Sequence, residues 1–529
     1  MTEEKLKSIS RSNLVKQLAD TSLTWDVLVI GGGATGLGVA LDAVARGYKT
    51  LLVEQSDFAK GTSSRSTKLV HGGVRYLAQG DIRLVREASI ERGLLNRNAP
   101  HLVKNQTFII PIYNFWDKIK YTIGLKMYDW ISGKLSMGSS VFISRKKTLE
   151  NLPGIKSENL LGGVLYHDGQ FDDSRLAINL VQSIIETGGC AINYVKVIGL
   201  IKDDNEKIKG SLLQDIETGQ QYQINARSVV NATGVFVDDI LQMDNASATK
   251  SICVSQGVHL VLDRKFYPSA HALMIPETSD GRVLFAVPWH NKVVLGTTDT
   301  PVEEASLEPK ALEKEISFIL ETASEYLTQK PGRSDVLSVF AGLRPLAAPQ
   351  GGDQKTKEIS RSHKIMVSPS NLFTILGGKW TTYRKMGEDM VNRIEKELHW
   401  KHHKTPTSLL HIHGYVEQVN WSDPLYFYGS DADQIKKQMN GSAGQWISES
   451  LRIHKMQVRW AVEHEMARTV EDVLSRRTRS LFLDAAESIR LAPVVANLMA
   501  EALDKDQEWV NQQVEEFTQL AQQYILKQN

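Results

Sequence analysis

The chain has 529 residues, enough for two or three domains with sizeable cores. Its 62 Lys and Arg nearly balance 61 Asp and Glu, a net charge of +1 that argues against bulk nucleic-acid binding. Cys190 and Cys253 are the two cysteines, so a disulfide framework is excluded, a reducing compartment is expected, and both thiols read as small packing groups.

The stretch Met1 to Leu6 has acids where a signal peptide carries basic residues, and no apolar segment follows it. No run of eighteen apolar residues occurs, so a bilayer-spanning helix is not expected; peripheral attachment stays open. Val27 to Ile30 then reads as a strand breaking into Gly31, Gly33, Ala34 and Gly36, and resuming as a helix that stops at Gly47. This G-x-G-x-x-G order supplies a tight turn, close approach to a pyrophosphate, and close helix–strand packing, with the helix N-terminus facing the phosphates. A second strand, 49–53, ends in Glu54, about twenty residues on, where a ribose diol is held; its charge disfavours a 2′-phosphate, so FAD or NAD is preferred to NADP.

Residues 61–77 place hydroxyls and cations, among them Ser64, Thr67 and Lys68, before His71, Gly72, Gly73, Arg75 and Tyr76. The hydroxyls suit helix capping or phosphate binding, and the glycine pair suits backbone approaching a ligand. An amphipathic helix is expected over 81–98. Residues 107–147 interleave Phe115, Trp116, Tyr121, Tyr128, Trp130 and Phe142 with Lys118, Lys120, Lys126, Lys134, Arg145, Lys146 and Lys147, a pattern that fits a membrane interface and equally a half-buried subdomain with a basic edge. A helix is expected over 174–188, and a strand over 228–231 ending in the small-residue turn Ala232-Thr233-Gly234, a second dinucleotide contact at a strand's carboxyl end. Alternation over 251–300 indicates antiparallel strands, with a hairpin through His290-Asn291. Arg344 follows in a Gly/Pro-bounded loop. Strand 372–376 leads into Gly377, Gly378, Lys379 and Thr381, where a helix N-terminus beginning at Gly378 would form another anion site.

Beyond residue 400 the pattern turns helical. His402, His403, His411 and His413 lack the acid or Cys of a metal set, and His464-Glu465 lacks the second His of a zinc-protease helix, so no metal is expected. Three nucleotide-facing turns spread over one sheet suit an extended FAD better than NAD. The expected fold is α/β: a discontinuous FAD-binding Rossmann-like domain (20–90, 150–240 and 340–400), an inserted antiparallel α+β substrate domain (91–149 and 241–339), and a C-terminal all-α domain (401–529).

Five stretches, at 26–36, 66–77, 231–234, 341–346 and 377–384, with 463–469 beyond them, make the chain resemble the FAD-dependent glycerol-3-phosphate dehydrogenases of the glycine/sarcosine-oxidase-like flavoprotein group. The resemblance implies oxidation of glycerol 3-phosphate to dihydroxyacetone phosphate, hydride passing from C2 to flavin N5. Arg75, Arg344 and Lys379 would bind the phosphate, Tyr76 would donate to it or stack on the ring, His259 would be the base, and His71, the rival for that role, would lie against the flavin. It further implies electron delivery to a membrane quinone, or to oxygen in an oxidase branch, and hence a cytoplasmic protein peripheral on the inner face of the cell membrane; a homodimer is left open. Calcium control is not expected, because no D-x-[DN]-x-[DN]-G loop occurs. A related FAD-dependent amine oxidase and a non-catalytic dinucleotide sensor are the competing readings; the first needs a carboxylate clamp rather than three cations, and the second keeps the glycines without needing His259, Arg344 and Lys379 together.

Overall fold

The computed structural model describes residues 10–73, 81–133, 136–278, 281–348, 362–439 and 446–527. Its first sheet has eight strands, and its centre is the run Val27–Ile30, where every side chain is buried. Strand Thr24–Ile30 pairs in parallel with Gln221–Asn231 on one side and Thr50–Val53 on the other. An apolar run without alternation is what a parallel strand covered on both faces requires. Leu372–Leu376 and Cys190–Ile192 extend the parallel part, and the antiparallel strands Val195–Lys202, Ile208–Asp215 and Lys364–Val367 complete the sheet.

Helix Ala34–Ala45 follows the glycine turn and ends with Gly47 at φ 91°, the left-handed stop expected for it. It crosses helix Tyr383–Glu397 in close contact at two glycines: a Cβ on Gly38 would stand 2.3 Å from the Tyr383 carbonyl oxygen, and one on Gly387 2.2 Å from that of Gly38. Removing two side chains lets the helices approach until their backbones touch, which brings both N-terminal ends to the same edge of the sheet.

The second sheet has ten strands, almost all antiparallel. Its long ladder joins Ile252–Asp263 to Val336–Ala347, with His259 opposite Phe340 and Gly257 opposite Gly342. The hairpin Leu284–Trp289/Lys292–Gly296 turns at His290 and Asn291, both with positive φ, as a two-residue turn matching strand twist demands. Strands Leu69–Val70, Gly162–Phe171 and Val336–Ala347 belong to this sheet rather than to the nucleotide sheet, so segments expected at 20–90, 150–240 and 340–400 in one domain contribute to both. Alternation reveals which face of a strand is buried but not which sheet it joins. Helix Phe115–Ser132 lies on this sheet, with Leu125 and Tyr128 buried.

Beyond residue 397 the chain first runs without helix or strand to 425, tied to the nucleotide domain by Thr405 and Thr407 hydroxyls donating to Asp42. The helices Ala432–Met439, Lys455–His464, Ala485–Leu503 and Gln507–Ala521 come later. They are docked by buried arginines: Arg476 and Arg477 on Asp57, and Arg479 on Asp172, while Arg175 reaches Glu465. Four buried ion pairs make this attachment specific, since each unpaired charge would cost several kcal/mol, about 3–5.

Candidate active site

Between the two sheets lies a cavity of about 540 Å³. The first sheet contributes Gly31, Gly33, Ala34, Glu54, Ala232 and Gly234 to its wall; the second contributes His259, Asp299, Arg344, Phe108 and Tyr166. Gly377, Gly378, Lys379 and Thr381 line it from the start of helix Tyr383–Glu397.

The turn is built for close approach. Gly31 has φ 109°, donates its N–H to the Val53 carbonyl, and would carry a Cβ 2.7 Å from the Ala232 carbonyl oxygen. Gly36 does not line the cavity; a Cβ there would fall 1.9 Å from the Gly31 carbonyl oxygen, so its task is to seat the helix on the turn. Ser63 Oγ accepts from the Ala34 N–H at 2.9 Å. Both oxygens of Glu54 accept main-chain N–H bonds, from Gly32 at 2.7 Å and Ser56 at 2.9 Å, and burial pushes its carboxyl upward. A Cβ on Gly234 would meet nothing within 4 Å, leaving open space above the second turn.

At the other end, His259 is 2% exposed and stacks on Phe340 with centroids 4.9 Å apart. Its Nε2 and the Thr67 hydroxyl are 2.9 Å apart. Burial, then Arg344 and Lys68, hold its pKa well below 6.5, so the ring is neutral at physiological pH. Arg344 reaches Asp299 at 3.5 Å and Thr297 Oγ1 at 3.3 Å, and Ser255 donates to Asp299.

Several expected site residues take other roles. Lys68, Ser64 and Gly72 are not on the cavity wall. Lys68 is in the left-handed region, φ 63°, which turns its side chain inward; Nζ donates to both Asp173 oxygens, at 2.8 and 2.9 Å, and to the Ser64 carbonyl at 2.6 Å. The Gly72 N–H donates to Tyr128 Oη at 2.9 Å, while His71 stays on the wall with its N–H on Thr381 Oγ1 at 3.3 Å. The helix expected to begin at Gly378 starts later: Gly377 and Gly378 have φ 71° and 88°, Trp380–Thr382 form a 3₁₀ turn, and the α-helix opens at Tyr383. Arg75 and Tyr76 lie outside the described residues.

Arg65 and Asp299 are among the cavity-lining charges that were not anticipated. Arg65 donates to Glu308 at 2.7 Å, and Asp299 pairs with Arg344. Arg65 stood in view among the hydroxyls of 62–67, but nothing local distinguishes it from a capping neighbour. His402 and His413 bond to carboxylates: His402 Nδ1 to Glu395 at 2.7 Å, and His413 to Glu186 and Asp431 at 2.9 and 2.8 Å.

The glycine cradle, the Glu54 turn and the elongated lining fit a dinucleotide. The chain matches the model of the FAD dependent oxidoreductase family over residues 26–382, and that of the C-terminal domain of alpha-glycerophosphate oxidase over 373–510. The mitochondrial glycerol-3-phosphate dehydrogenase of Bos taurus is 37% identical to it, over 98% of this chain and 75% of that one. The human mitochondrial enzyme of the same name is also 37% identical, over 96% and 74%. The chain belongs to the FAD-dependent glycerol-3-phosphate dehydrogenase family. A crystal structure of the Bacillus halodurans glycerol-3-phosphate dehydrogenase complexed with FAD superposes with a TM-score of 0.79, at 30% identity and 99% coverage of both chains. The dehydrogenase thus combines the mixed α/β flavoprotein fold with a C-terminal helical domain, and FAD is its cofactor. Among the described residues, no helix is long and apolar enough to cross a membrane.

Proposed function

We propose that this enzyme oxidises sn-glycerol 3-phosphate at C2 to dihydroxyacetone phosphate and passes the electrons to a membrane quinone. One observation carries the reading: a single cavity runs from the dinucleotide turn to a neutral buried histidine and the cations Arg344 and Lys379. Bound FAD supplies the hydride acceptor, at N5 of the isoalloxazine.

The protein's own groups do the rest. Arg344, steadied by Asp299, offers a planar fork suited to a phosphate, and Lys379 adds a point charge; the family resemblance assigns Arg75 and Tyr76, outside the described residues, to the same anion. His259 takes the carbinol proton. A base must be unprotonated to act, and the burial that keeps this ring neutral meets that need. The substrate dianion would favour the protonated ring, so the acid limb of kcat should lie at higher pH than that of kcat/KM.

Quinone is preferred to oxygen because helix Phe115–Ser132 turns an apolar row outward: Trp116 and Trp130 are 77% and 84% exposed, beside exposed Phe115 and Ile123 and the cations Lys118, Lys120 and Lys126. Such a face suits peripheral contact with lipid on the inner side of the cell membrane. The test is anaerobic: FAD-loaded protein should bleach on addition of glycerol 3-phosphate and recover its colour faster with a quinone analogue than with oxygen. No bleaching would refute the substrate, and faster recovery with oxygen would refute the acceptor.

A further inference from the structure

We propose that the Thr67 hydroxyl is a proton relay between the substrate carbinol and His259. The inference rests on the reading of His259 as the base and adds the path by which the proton reaches it.

The ring is clamped. Phe340 stacks on it at an interplanar angle of 17°, and the backbone of Gly296 lies so close that a Cβ there would stand 2.3 Å from His259 Cδ2. Nδ1 is buried with no hydrogen-bond partner among the described residues. Nε2 has a partner, the Thr67 hydroxyl at 2.9 Å, and Thr67 lines the cavity. His259 also lines the cavity, but its ring is 2% exposed, stacked on Phe340 and packed against Gly296, and its Nε2 faces the Thr67 hydroxyl, so that hydroxyl is the group placed to pass a proton from a bound carbinol to the ring.

Thr67 is itself held in place by its neighbours. Ser66 Oγ donates to Asp173 at 2.7 Å, Lys68 Nζ donates to the same carboxylate at 2.8 and 2.9 Å, and the Lys68 N–H donates back to Ser66 Oγ at 3.0 Å. One buried acid thus grips the residue on each side, and the hydroxyl between them is presented from a fixed backbone. A hydroxyl both donates and accepts, which is what a relay requires.

The step balances. As C2 gives up hydride to the oxidant FAD, the carbinol O–H bond breaks and its proton passes to Thr67 Oγ1. The proton already on Thr67 Oγ1 passes to His259 Nε2, and the C2–O bond becomes a carbonyl. Two protons move for each carbinol oxidised, and Thr67 ends as the hydroxyl it began as.

Anaerobic single-turnover reduction of the FAD-loaded enzyme by glycerol 3-phosphate tests this, in wild type and in the variants Thr67→Val, Thr67→Ser and His259→Gln. Thr67→Val should slow reduction about 100-fold and Thr67→Ser less than about tenfold, with flavin content unchanged. The rate in mixtures of H₂O and D₂O should follow a bowed, two-proton dependence in wild type and Thr67→Ser. In the flavin-free protein, the Nε2 resonance of ¹⁵N-labelled His259 should shift in Thr67→Val and stay near its wild-type position in Thr67→Ser. Reduction by Thr67→Val within about twofold of wild type, or a straight solvent dependence in wild type, overturns the relay; the second criterion holds even if Thr67→Val fails to fold. His259→Gln separates the two levels: if it keeps wild-type rates, the base assignment itself falls, whereas a slow His259→Gln beside a fast Thr67→Val removes the relay alone.

Discussion

Lys68 stands among nucleotide-facing residues in sequence yet does its work inside the protein, and Lys68→Met tests that assignment. Its ammonium makes three bonds of 2.6 to 2.9 Å, two to Asp173, and both side chains are fully buried. It also lies about 5 Å from the ring centres of Trp289, Phe340 and Phe482. Methionine keeps most of the stem but strands the carboxylate. Breaking a buried pair from one side costs about 3–5 kcal/mol. Asp173 retains bonds from the Ser66 hydroxyl and the Ser174 N–H, which points to the lower part of that range. Removing the stranded charge as well, in Lys68→Met/Asp173→Asn, should recover about 2 kcal/mol. The assay is the urea midpoint of flavin-free protein, alongside FAD affinity measured where the variant is folded. Stability should fall while the FAD Kd changes little. A variant as stable as wild type but with FAD affinity lost would show that Lys68 contacts the cofactor.

Three further outcomes follow from the same geometry. Gly36→Ala puts a Cβ 1.9 Å from the Gly31 carbonyl oxygen; relieving the overlap costs about 1–3 kcal/mol and displaces the turn, so FAD retention on gel filtration should drop roughly tenfold or more. For His413, burial opposes charging, but the Asp431 and Glu186 carboxylates outweigh it and push the pKa up from 6.5 to about 9. The resulting stabilisation of about 3 kcal/mol is fully present below about pH 6.5 and lost as pH rises through about 9, so His413→Gln should differ from wild type at pH 6 and converge on it near pH 10; a constant difference would count against the ion pair. Trp116→Asp/Trp130→Asp should leave anaerobic bleaching intact and cut co-sedimentation with anionic liposomes at least about tenfold, since each indole forfeits about 1.5–3 kcal/mol of burial.

Much of the nucleotide half was legible because its constraints are local. The Gly31 and Gly36 spacing, Glu54 at the second strand's end, and the Gly47 stop follow from what a few consecutive residues permit, and the His290-Asn291 turn is of the same kind. What the cations do was not legible. Lys68 and Arg65 share one short segment, yet the left-handed backbone at Lys68 sends its ammonium to Asp173, while Arg65 meets Glu308, more than 200 residues away.

The amino-acid order thus determined the glycine cradle, the parallel strand and the cofactor class, because backbone clearance and hydrophobic runs are properties of neighbours in the chain. Tertiary structure alone decided that strands 162–171 and 336–347 join the second sheet, that Arg476 and Arg477 close on Asp57, and that Thr67 meets His259. Those are pairings across many residues: a charge or a hydroxyl has the same local signature whether its partner is water, a ligand or a distant side chain, and only packing selects among them.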